Sequence, residues 1–91
     1  MMTATLMNER PLASSGSPLK GALQKRSMRI AGHRTSLALE PQFWAALDKI
    51  ARDRGASLPS LIAGIDERRA KDAPEASLAS AVRVFVLENR L

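Results

Sequence analysis

The sequence predicts a small, mostly helical domain with one short β-strand per chain, the strand pairing antiparallel with its copy in a second subunit. Three observations lead there. "HRTSLALEP", residues 33–41, alternates Leu37 and Leu39 with Ser36 and Ala38 and is closed by Pro41. Three apolar stripes at helical spacing follow it, separated by Gly, Ser and Pro signals. No second run reads as convincingly as a strand, and a lone strand leaves its N–H and C=O groups without partners.

The elements are expected in the order arm, strand, helix, helix, helix. Residues 1–24 combine Ser, Gly, Pro, Thr and Asn around "PLASSGSP" and read as a disordered arm. The stretch "LKGALQKR" supports at most one helical turn. Residues 25–91 form the domain, with the strand at about 33–40 and helices at about 41–54, 58–70 and 78–90.

Pro41 suits the first turn of the first helix, where a missing N–H costs nothing. Phe43, Trp44, Leu47, Ile50 and Ala51 then form one stripe opposite Asp48, Lys49, Arg52 and Asp53, and Gly55 supplies a left-handed stop. Ser57 is placed to cap the second helix, whose stripe is Leu58, Leu61, Ile62 and Ile65. Ser77 caps the third, with Leu78, Ala81, Val82, Phe85 and Val86 inward. "VRVFV" also alternates as a strand would, but the capped start and the following "LENR" favour a helix. Roughly 60 ordered residues bury little surface alone, so a second copy would both stabilise the fold and supply the missing strand.

Charge is unevenly placed. The net charge is +5, yet residues 1–19 and residues 40–91 each sum to zero. The whole excess lies in Lys20, Lys25, Arg26, Arg29 and Arg34, with no acid among residues 20–39. A neutral body with a basic entry segment points to a polyanionic partner.

If two copies pair residues 33–40, the side chains divide between two faces. His33, Thr35, Leu37 and Leu39 face the helices, while Arg34, Ser36 and Ala38 face outward on a strip narrow enough for the DNA major groove. Here the run "TSLALEPQFWAALDKIARDRGASLPSLIAGI", residues 35–65, resembles the ribbon-helix-helix family of DNA-binding proteins, the class of the Arc and MetJ repressors. The likeness rests on an ordered set: alternating strand, acidic-Pro helix start, aromatic pair, a helix closed by "RG" and a Ser-capped second helix. The continuation through "ASAVRVFVLENRL" is similar to a bacterial subgroup with an additional C-terminal helix.

The resemblance implies a homodimeric transcriptional regulator bound to double-stranded DNA. Base contacts would come from Arg34, Ser36 and Ala38; Arg34 can donate bidentately to guanine, whereas Ala38 can only touch a thymine methyl. Phosphate contacts would come from Ser57 and Ser60 at the second-helix start and from Lys25, Arg26 and Arg29 before the ribbon. The core of the dimer would hold Leu37, Leu39, Phe43, Trp44, Leu47, Ile50, Leu61, Ile62, Ile65, Val82 and Phe85. The alternative is an antitoxin-like module in which the dimer presents its third helix or its arm to a protein partner.

Other classes find little footing. There is no Cys, a single His, no Tyr and no phosphate loop, so neither an enzyme nor a metal or cofactor site is expected. No segment reaches the roughly 18 apolar residues of a membrane span and the N-terminus is a poor signal peptide, so a cytoplasmic protein without membrane association is expected.

Overall fold

The computed structural model describes residues 23–89. Strand β1 (Gln24–Ile30) and strand β2 (His33–Leu39) precede helices α1 (Pro41–Arg54), α2 (Leu58–Asp72) and α3 (Leu78–Asn89). The disordered-arm expectation for residues 1–22 lies outside the described residues.

One expectation is corrected at once. The chain holds two strands where one was expected: β2 pairs with β1 of the same chain, in an antiparallel hairpin running from Gln24↔Leu39 to Ile30↔His33, and the other edge of β2 carries no strand of this chain among the described residues. The single helical turn allowed in "LKGALQKR" is likewise absent over residues 24–26, which are extended. The physical reason is a short turn. Ala31 and Gly32 sit at φ 51° and 84°, and positive φ at both central residues is what a two-residue hairpin loop of matching twist requires.

Alternation then gives the hairpin two faces. Arg26, Met28 and Ile30 share the inner face with Thr35, Leu37 and Leu39, and Ile30, Leu37 and Leu39 are buried. Beneath them lie Trp44, Leu47 and Ala51 of α1, Leu61, Ile62 and Ile65 of α2, and Val82 and Val86 of α3. Eight of the eleven residues expected in a dimer core are therefore buried inside one chain, and Phe43, Ile50 and Phe85 pack half-buried against them. Helix α3 is part of this core: it contacts β2, α1 and α2.

The helix ends follow from local chemistry. Gly55 at φ 66° ends α1, its N–H donating to Arg52 and that of Ala56 to Ala51. Ser57 and Ser77 accept from the backbone N–H of Ser60 and Ser80 at 3.2 and 3.0 Å, capping α2 and α3 as expected. The "VRVFV" run is helical. Arg69 ties the α2–α3 connection together, donating to Asp66 and to the carbonyls of Pro74 and Ala76.

Candidate nucleic-acid interface

The outer face of the hairpin carries three cross-strand pairs: Lys25 opposite Ala38, Ser27 opposite Ser36, and Arg29 opposite Arg34. It holds three cations and no acid. The two serine hydroxyls lie 3.0 Å apart and share a hydrogen bond across the middle of the ribbon. Near the tip, Arg29 Nη1 donates to the Gly32 carbonyl at 3.2 Å, folding the guanidinium toward the turn. Two arginines directly opposite one another repel, which costs stability unless an anion is brought to them. Among the described residues, no carboxylate forms an ion pair with Lys25, Arg29 or Arg34.

Arg26 is on the other side. Its guanidinium donates to both carboxylate oxygens of Asp48 at 3.2 and 3.3 Å and lies 4.5 Å from the centre of the Trp44 ring. The indole Nε1 of Trp44 in turn donates to the Gln24 carbonyl at 2.8 Å. This group fastens β1 to α1. The four cations expected to sit before or on the ribbon as contacts are thus split: Lys25, Arg29 and Arg34 share the outer face, and Arg26 holds the ribbon to its base.

Glu40, between β2 and α1, plays a similar part at the other edge. Its Oε1 accepts from Arg83 Nε and Nη2 at 3.0 and 2.9 Å, linking the end of the ribbon to α3. A backbone N–H bond and the Arg83 guanidinium hold its carboxyl below the ordinary carboxylate range.

The α2 start is less open than its position suggests. Pro59 has no N–H and the Ser60 N–H is occupied by Ser57, so the Leu58 N–H is the donor left in the first turn. Ser57 and Ser60 are exposed, and Ser60 lines a groove of about 570 Å³ between α2 and α3 rather than the ribbon. That groove is floored by Leu61, Ile65, Ala81 and Phe85, with Arg54, Arg68 and Glu88 at its rim.

The family model for the ribbon-helix-helix domain matches residues 23–89, the stretch that forms the hairpin and all three helices. The chain belongs to the ribbon-helix-helix family. Neither a curated protein nor a solved structure matches it. β2 and all three helices are elements read from the sequence, α3 being the additional C-terminal helix expected there. No helix among the described residues is long and apolar enough to cross a membrane.

Sequence reasoning missed Ser27 and misplaced Lys25 and Arg29. The signal was present: "QKRSMRI" alternates Arg26, Met28 and Ile30 against Lys25, Ser27 and Arg29. Its inner members include an arginine, which masks the apolar period, and "AG" is a weak turn signal beside Asn-Gly or Asp-Gly.

Proposed function

We propose that this ribbon-helix-helix protein is a homodimeric, non-enzymatic regulator of transcription that places its ribbon in the major groove of double-stranded DNA. One observation carries the reading. Lys25, Arg29 and Arg34 are gathered on one face of the hairpin that carries no acidic side chain, and none of the three has a carboxylate partner among the described residues. A strip of uncompensated cations two strands wide suits a groove about 12 Å across lined by phosphates. Arg34 and Ser36 supply base contacts, Ala38 meets at most a thymine methyl, and Lys25 and Arg29 add positive charge beside the backbone. Ser57 and Ser60 remain candidates for a phosphate through their hydroxyls and the Leu58 N–H.

The test is titration of the full chain against random duplex DNA at several salt concentrations, with sedimentation to give its subunit number. Affinity should fall steeply with salt. Replacing Lys25, Arg29 and Arg34 together by Ala should flatten the log–log slope by about 3 for each ribbon engaged. Absence of binding at low salt sinks the reading.

A second reading is favoured by the other face of the molecule. Val84 and Leu87 on α3 are 49% and 55% exposed, and Val84 lines the α2–α3 groove. A protein partner seated there would make the chain an interaction module, and failure to shift DNA at low salt would favour it.

A further inference from the structure

We infer that β1 is a flanking clamp: in the dimer each β1 borders a ribbon made of one β2 from each chain, and its Lys25 and Arg29 hold phosphates on the groove wall while β2 faces the bases. The inference rests on the DNA-binding reading above and deepens it, giving the two strands of the hairpin different targets on the duplex.

Charge decides which edge of the hairpin meets a second copy. Both outer edges lack a further strand of this chain among the described residues. An open edge pairs with another chain unless it is blunted, and cations on the edge strand blunt it. β1 carries Lys25, Arg26 and Arg29, whereas β2 carries Arg34 beside the small residues Thr35, Ser36 and Ala38. Joining β1 to its copy would gather six cations on adjoining strands; joining β2 to its copy gathers two. The start of β1 is also engaged, since the Trp44 indole donates to the Gln24 carbonyl at 2.8 Å. β2 is therefore the edge free to pair. The sheet then runs β1, β2 of one chain and β2, β1 of its partner.

Width then assigns the targets. Neighbouring strands lie about 4.8 Å apart, so the two β2 strands span about 5 Å and the two β1 strands stand about 14 Å apart, three spacings. The major groove is about 12 Å wide, and its walls are the phosphate backbones. The β2 pair fits between the walls, and each β1 comes to lie over one of them.

The side chains agree with that division. Arg29 lies directly across from Arg34, and its Nη1 donates to the Gly32 carbonyl at 3.2 Å. One arm of its fork is thus spent at the tip, which spoils a bidentate grip on guanine but leaves charge and donors for a phosphate oxygen. Turning Arg29 to the wall and Arg34 to the groove floor also separates two like charges that repel across the ladder. Lys25, a compact charge on a flexible stem, faces Ala38 across the strands and needs only one phosphate oxygen. In the middle, the Ser27 and Ser36 hydroxyls, 3.0 Å apart, tie the clamp strand to the reading strand.

Two measurements on the full chain test this. The sequence has no Cys, so a nitroxide can be placed alone at Ser27→Cys or at Ser36→Cys. These positions face each other across the hairpin, so any offset along the strands is common to both and only the lateral distance differs. Between the two chains of a dimer, the Ser36→Cys labels should be closer than the Ser27→Cys labels by up to about 10 Å, two strand spacings, read as stronger dipolar broadening in electron spin resonance. Ser27→Cys labels closer than Ser36→Cys labels, or no broadening at either, overturns the strand order.

The second measurement is duplex binding across salt concentrations, with sites selected from a random pool. Replacing Lys25 and Arg29 together by Ala should lower the log–log slope by about 2 for each chain engaged. It should weaken selected and random duplexes by the same factor and leave the selected sequence unchanged. Lys25→Arg with Arg29→Lys should keep the slope, which separates charge from damage to the turn. Lys71→Ala, at an exposed cation on α2, should also keep it. Arg34→Ala should instead change the selected sequence. If the Lys25 and Arg29 double variant alters the selected sequence, or binds with the wild-type slope, β1 is not on the phosphates and the inference falls while DNA binding stands. If the wild-type chain shifts no duplex at low salt, both fall.

Discussion

Trp44→Phe tests the fastening of the hairpin to the helices. The indole is 1% exposed, donates to the Gln24 carbonyl at 2.8 Å and carries Arg26 at 4.5 Å over its ring. Phenylalanine keeps an aromatic ring but removes the N–H and the fused second ring. Losing the hydrogen bond costs about 1 kcal/mol. The unfilled volume adds about 1–1.5 kcal/mol, between the costs of small and large core truncations. The weaker cation–π contact adds about 0.5 kcal/mol. The expected loss is therefore about 2–3 kcal/mol, which for a domain of this size lowers Tm by about 10–20 °C. Urea and thermal melts followed by far-UV circular dichroism measure it, since the variant lacks the tryptophan whose fluorescence would otherwise report unfolding. A loss below about 0.5 kcal/mol would mean that Trp44 does not anchor β1, and the account of how the ribbon is held would be wrong.

Other expectations are simpler. Ala31→Asn should stabilise the chain by about 0.5–1 kcal/mol, because Asn tolerates the positive φ of 51° better than Ala does; equal or lower stability in a urea melt contradicts the turn assignment. Gly55→Ala and Gly64→Ala should differ in sign, although a Cβ meets nothing within 4 Å at either position. At Gly55, φ 66° should cost about 1 kcal/mol, whereas in the interior of α2 the gain is about 0.5–1 kcal/mol. Glu40 governs part of the acid limb. Its carboxyl is held below the ordinary value near 4.5, so its contribution is present above that pH and is lost as pH falls through the depressed folded value. Thermal melts should show Glu40→Gln less stable than wild type at pH 7, with the gap closing on acidification; a gap that does not close would detach the Arg83 pairing from stability.

The helical part of the fold was legible because its signals were local and unopposed. Pro41, Gly55, Ser57 and Ser77 mark helix ends by backbone chemistry that needs no tertiary partner. The apolar stripes between them hold Trp44, Leu47, Leu61, Ile62, Ile65 and Val82, and all are buried. β1 was hidden for the opposite reason. Its inward positions include Arg26, whose charge is admissible beneath a ribbon only because Asp48 and Trp44, about twenty residues away, receive it. That acceptance is a tertiary fact. Without it, "LQKRSMRI" reads as a basic lead-in, and β2 is left with no partner in its own chain. The outward positions Arg34, Ser36 and Ala38 followed from alternation alone, and their neighbours across the hairpin followed only once the register was known.

Helix α3 lies under β2 and closes the apolar floor with Val82 and Val86, while Arg83 grips Glu40 at the strand's end. The hairpin is synthesised well before this support exists. A nascent or prematurely terminated chain can carry every outward-facing cation and still lack the platform that keeps them in one plane. A fragment that ends before α3 therefore carries its charged segment without the floor that shapes it.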